Sequence, residues 1–113
     1  MPKLSISMIV YNDKETKYIS YLFDSLSRQT FQDFEMIIVD NASDGAVLAT
    51  VETELKKIQK PYRILKNETN VGFAEGHNRA YKEAQTEYVL LLNPDMYLMP
   101  ETIGRMVEFL DKH

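Results

Sequence analysis

Hydrophobic and polar positions alternate between two periods along this chain. Residues 3–12, KLSISMIVYN, are rich in strand formers and stop at Asn12-Asp13. Ile19, Leu22, Phe23 and Leu26 then recur at helical spacing, which predicts an amphipathic helix over 15–29 with Asp13 as its cap. FEMIIVD (34–40) reads as a second, buried strand and NASDG as the turn that follows it. Val47, Leu48, Val51, Leu55 and Ile58 mark a second helix that must stop before Pro61, and the charges at 52–60 form its solvated face. YRILKN (62–67) is a third, shorter strand. The polar, glycine-bearing ETNVGFAEGHNRA leads into a helix around 74–85, with Ala74, His77, Tyr81 and Ala84 along one face. EYVLLLN (87–93) is the fourth strand. Ile103, Met106, Val107 and Leu110 form the stripe of a last helix, with Pro100 suited to its first position. Most tyrosines and phenylalanines fall on predicted strands and helix faces and are expected in the core.

Strand and helix alternating at this spacing imply right-handed crossovers and an α/β fold, a parallel sheet of about four strands with helices on both faces. In such sheets ligands lie beyond the carboxyl ends of the strands. The rule gathers Asn12, Asp40, Asn41, Asn93 and Asp95 on one rim.

Composition narrows the function classes. A chain of 113 residues, 44% hydrophobic and 27% charged, fits one globular domain. A net charge of −4 argues against a protein that grips nucleic acid. With no cysteine, disulfide and thiolate chemistry are excluded, and a cytoplasmic setting is expected. No apolar run approaches the roughly 18 residues of a bilayer span. The opening MPKLSISMIVYND lacks a basic leader and a small-residue cleavage site, so it is not read as a signal peptide. Peripheral membrane attachment stays open.

The rim residues admit two kinds of role. Asp40 could accept hydrogen bonds from a ribose or base, or cap the helix that starts near Ser43 or Asp44. Asn41 has similar alternatives, because asparagine tolerates turn conformations. Pro94 removes an N–H and holds Asn93 extended, so Asn93-Pro94-Asp95 makes a fixed corner that aims Asp95 past the sheet. That corner is either a turn or half of a site for Mg²⁺ or Mn²⁺, which take oxygen ligands and commonly share them with substrate phosphates. In NVGFAEGHNRA, Gly72 lets backbone approach a ligand where a helix N-terminus favours an anion. The stretch has neither the third glycine of a dinucleotide fingerprint nor a GK[ST] element. Arg79 could pair with phosphate or sit in solvent, and His77 is expected to be a packing residue.

SISMIVYN, IIVDNAS, NVGFAEGHNRA and LLLNPDMYL, in this order and spacing, resemble inverting family 2 glycosyltransferases of the GT-A fold, with NVGFAEGHN and LLNPD closest to a bacterial rhamnosyltransferase-like branch. The resemblance implies the Rossmann-like half of a GT-A fold with strand order 3-2-1-4. It implies that Val10, Tyr11 and Asn12 lie at the first nucleotide-contacting strand end, and that Asp40 and Asn41 contact base and ribose. Gly72, Arg79 and Asn93 join the nucleotide site. Asn93-Pro94-Asp95 takes the place of the DxD motif, with Asp95 holding a divalent metal, Mg or Mn, that bridges the diphosphate.

Three departures accompany it. Asn93 replaces the first aspartate, Asn41 stands where many relatives have a second one, and NASDG is one residue shorter than the usual NxSxDG. Family catalytic domains also continue beyond this length, carrying the acceptor site and general base. No catalytic residue is therefore assigned, and the 113 residues are expected to be a nucleotide-sugar-binding domain truncated relative to the full enzyme. The alternative is a non-catalytic nucleotide-binding or assembly module of the same fold. A receiver-type signalling domain fits poorly, because Asp13 alone does not make the acidic pair and YRILKN ends on Asn67. The expected partners are a nucleotide-diphosphate sugar, an acceptor that a membrane could present, and a second copy of the chain paired through an exposed fourth-strand edge.

Overall fold

The computed structural model describes residues 2–11 and 16–113. Asn12 and the predicted cap Asp13 lie outside the described residues. Eight elements alternate: β1 (Leu4–Val10), α1 (Thr16–Ser27), β2 (Phe34–Asn41), α2 (Gly45–Ile58), β3 (Tyr62–Asn67), α3 (Gly72–Glu83), β4 (Tyr88–Leu92) and α4 (Thr102–Lys112). The strands form one parallel sheet in the order β3-β2-β1-β4, as the resemblance implied.

The period of two in LSISMIV divides the molecule. Leu4, Ile6, Met8 and Val10 point to one face, where they pack with Ile19, Leu22 and Phe23 of α1, Val47, Val51 and Leu55 of α2, and Ile103 and Val107 of α4. Ser5, Ser7 and Ile9 point to the other face, which α3 covers, with Ala80 against Ile37 and Val39. The two faces differ accordingly. The first is a large apolar core, and the second carries a polar seam: Ser5 Oγ donates to Glu35 Oε1 at 2.7 Å, and Ser7 Oγ lies 2.7 Å from His77 Nδ1. Serines suit β1 here because short side chains let the helix come close.

Three expectations need correction. The buried face of α3 is Gly76, His77 and Ala80, whereas Ala74 is exposed and Tyr81 is 67% exposed. The predicted stripe was displaced because an 80-position alanine and a glycine, small enough for close packing, carry the contact. Most aromatic rings are not core: Phe23 and Phe34 are buried, but Tyr11, Tyr18, Tyr21, Tyr62, Phe73, Tyr97 and Phe109 are exposed. Pro100 is not the first residue of α4, which begins at Thr102. Its carbonyl instead accepts from Thr30 N at 2.8 Å. The α4 start is satisfied from another element: the buried Gln29, just past α1, accepts from Ile103 N at 3.1 Å and donates to the Met99 carbonyl at 2.8 Å.

Candidate functional site

Parallel register brings the strand ends together. Val10 lies opposite Asp40, Asp40 opposite Lys66, Asn41 opposite Asn67, and Met8 opposite Leu92. Beyond these positions lie Tyr11, the Asp40–Ser43 turn, the start of α3 and the Asn93–Asp95 corner, all on one rim. Strand order reverses between β1 and its two neighbours, β2 and β4. That is the switch point at which open α/β sheets form a crevice.

Asp40 is buried, and one of its oxygens is engaged. Its Oδ1 accepts from Ser43 N at 2.9 Å and also from the Ser43 hydroxyl. Oδ2 carries no hydrogen bond among the described residues. The helix cap, one of the two roles open to Asp40, belongs to Asp44, whose Oδ1 accepts from Ala46 N at 3.1 Å and Val47 N at 3.0 Å. Asp40 is thus held at a turn with one acceptor oxygen left for a ligand. The shortened NASDG keeps Asp44 as a structural residue.

Asn41 is also buried, and both ends of its amide are occupied. Nδ2 donates to the Gly72 carbonyl at 3.2 Å, and Oδ1 accepts from Asn67 Nδ2 at 2.7 Å. Arg79 Nη1 donates to Asn67 Oδ1 at 2.5 Å and to the Lys66 carbonyl at 2.8 Å. Gly72 takes φ +85°, a left-handed conformation that glycine adopts without penalty, and its N–H donates to Asn70 Oδ1 at 2.9 Å. Val10 is a core residue, so only its backbone faces the rim. Tyr11 is half exposed there.

At the end of β4, Met96 N donates to the Asn93 carbonyl at 3.4 Å, closing the proline-stiffened turn. Asp95 is exposed and makes no hydrogen bond or ion pair among the described residues. No group of three or more histidine, cysteine, aspartate or glutamate side chains that could hold a metal occurs among the described residues. Asn93 and Asp95 nevertheless supply hard oxygen donors at an open corner, a set that fits Mg²⁺ or Mn²⁺ when phosphate oxygens complete the shell.

His77 is a packing residue, as expected, but a polar one. Its ring meets Phe73 edge-on at 4.4 Å, Nδ1 faces Ser7, and Nε2 is buried without a hydrogen bond. Burial lowers its pKa below the ordinary 6.5. The folded chain therefore binds that proton less readily than the unfolded chain does. Stability is full above about pH 6.5 and falls as the pH drops through the folded-state value. Urea unfolding at pH 7.5 and 5.5 is expected to show a larger loss for the unaltered chain than for His77→Gln.

Ser43, Asn67 and Asn70 were not foreseen as site residues. An Asp-x-x-Ser spacing was the available signal for Ser43. The roles of Asn67 and Asn70 depend on which strands become neighbours.

The family model described as glycosyl transferase family 2 matches residues 5–113. The chain belongs to this family. Over its full length it is 34% identical to the poly(ribitol-phosphate) β-N-acetylglucosaminyltransferase TarS of Staphylococcus aureus Mu50, of which it spans 20%. The crystal structure of S. aureus TarS 1–349 in complex with UDP-GlcNAc superposes on 98% of this chain with a TM-score of 0.84 and 33% identity, and this chain covers 32% of it. The mannosyltransferase PcManGT of Pyrobaculum calidifontis, in complex with GDP-Man and Mn²⁺, gives a TM-score of 0.85 at 21% identity, with 96% of this chain and 32% of that one covered. That likeness shows the fold alone. The four-stranded parallel sheet is thus the Rossmann-like part of a GT-A glycosyltransferase, and this family 2 chain spans about a third or less of these relatives.

Proposed function

We propose that the carboxyl rim binds the nucleotide diphosphate of a sugar donor together with a divalent cation, and that residues 1–113 are the donor-binding part of an inverting glycosyltransferase. The observation that carries this reading is the pair of carboxylates presented on one rim: Asp40, with Oδ2 left unbonded, and the exposed Asp95. Asp40 accepts from a ribose hydroxyl or base N–H. The start of α3, beside Gly72, faces the diphosphate with the positive end of its dipole. Asn93 and Asp95 hold Mg²⁺ or Mn²⁺. The bound cation would offset the charge of the nucleoside diphosphate as it departs. TarS in complex with UDP or UDP-GlcNAc supports the ligand class.

Calorimetric titration with UDP, dTDP and GDP, with and without Mn²⁺, tests the reading. At least one nucleotide is expected to bind about tenfold or more tightly with the metal, a difference of ~1.4 kcal/mol. Failure of all three to bind, or binding indifferent to metal, counts against it. A preference for dTDP would support the rhamnosyltransferase-like branch.

The non-catalytic alternative rests on the acceptor half, whose general base the motifs do not place on this chain. Turnover of labelled nucleotide sugar separates the two readings. The proposal also includes a cytoplasmic setting and an acceptor presented at a membrane. No helix among the described residues is long and apolar enough to cross one.

β4 is an edge strand in the sheet, and Leu91, beside Ser7 on the α3 face, is 49% exposed. Such an edge invites pairing with a second copy. Light scattering after size exclusion is expected to show concentration-dependent dimer, and a monomer at millimolar concentration would refute this.

A further inference from the structure

The three side-chain bonds that link Arg79 to Gly72 have a direction. A guanidinium can only donate and a backbone carbonyl can only accept. Arg79 Nη1 donates to Asn67 Oδ1, so the Asn67 amide turns its Nδ2 toward Asn41. Asn41 therefore presents Oδ1 to Asn67 and Nδ2 to the Gly72 carbonyl. The orientation of each amide follows from the fixed polarity of the two ends of the chain. The path leaves α3 at Arg79, crosses the ends of β3 and β2, and returns to α3 at its first residue, closing a loop around the helix start.

Only a side chain with one donor and one acceptor serves at position 41. An ionised aspartate would accept from Asn67 but turn an acceptor oxygen on the Gly72 carbonyl, in a place that is 1% exposed. Both polar ends of Asn41 are spent inside the protein.

We propose that Asn41 is a positioning residue that touches no part of the nucleotide: with Asn67 and Arg79 it pins the Gly72 end of α3 over the rim, leaving base recognition to Asp40 and the Tyr11 strand end. The inference rests on the donor-site reading above and assigns the residues within it. Arg79, with Nη1 committed to Asn67 and Lys66, is the anchor of this relay rather than a phosphate ligand.

The test compares the unaltered chain with Asn41→Asp, Asn67→Ala and the double variant. UDP, dTDP and GDP are titrated with Mn²⁺ at a temperature where circular dichroism shows every variant folded. Each single change is expected to weaken every nucleotide that binds by the same factor, about tenfold, leaving the order of preference intact. The double variant is expected to be no weaker than the weaker single one, because both break one relay. Hydrogen exchange at the amides of residues 72–74 is expected to quicken in each variant while α2 keeps its protection. Asn67→Ala keeps the test decisive if Asn41→Asp does not fold. A changed order of preference, or affinity unmoved by either change, overturns the inference. Absence of nucleotide binding by the unaltered chain overturns the donor-site reading itself, and this inference with it.

Discussion

Asp95→Ala is expected to remove the metal-dependent part of nucleotide binding, weakening UDP, dTDP or GDP by about 100-fold, or ~2.7 kcal/mol, in the presence of Mn²⁺. The size of the effect follows from the poverty of the site. Asn93 is neutral, and no cluster of three acidic or imidazole ligands exists among the described residues. A cation here depends on one protein carboxylate and the oxygens of the diphosphate, so the alanine variant retains only an amide. Asp95→Asn removes the charge while preserving shape and should lose nearly as much. Neither change should unfold the protein, because Asp95 is exposed and bonded to nothing described; the expected stability change is within about 0.5 kcal/mol. Calorimetry with and without Mn²⁺, alongside urea unfolding, separates the two effects. Binding by Asp95→Ala equal to that of the unaltered chain would remove the metal role from this corner.

The architecture was legible because each element carried its own period. LSISMIV alternates, the apolar positions of α1 and α2 recur at helical spacing, and α2 could not continue through Pro61. The rim followed from topology: once four parallel strands are granted, their carboxyl ends must meet. Asp40 and Asp95 were found this way. What sequence could not resolve was how bonds divide among neighbouring polar groups. Asp40 could cap the helix or accept from a ligand, and only the turn geometry gives the cap to Asp44 and the Ser43 clamp to Asp40. The bonds of the Asn41 amide could not be foreseen, because its partners, Asn67 and Gly72, lie 26 and 31 residues away. The capping of α4 by Gln29 spans 74 residues and left no local mark. The α3 face was misread for a related reason. Its packing depends on Gly76, and a periodicity argument built on large apolar residues gives a glycine no weight.

That glycine supports the second large effect. Gly76→Val is expected to destabilise the chain by about 3 kcal/mol, the upper part of the range for overpacking. A Cβ at position 76 would lie 2.6 Å from Ile9 Cδ1, 3.2 Å from Ile9 Cγ1 and 3.6 Å from Asn41 Nδ2. α3 therefore lies so close to β1 that a side chain at position 76 requires the end of Ile9 to shift, beside the Asn41 amide. Alanine tests the cause. In an exposed helix interior Gly→Ala would stabilise by up to ~1 kcal/mol. Here Gly76→Ala should instead cost about 1–2 kcal/mol, because Ile9 must turn aside or the helix must lift. Ile9→Val deletes the Cδ1 methyl that makes the 2.6 Å contact. The double variant should therefore be more stable than the sum of the single losses predicts, by about 1 kcal/mol of coupling. Chemical denaturation of the four proteins measures that coupling. Additive losses would mean that α3 is free to move away from the sheet, and a helix free to move could not hold its N-terminus against a diphosphate.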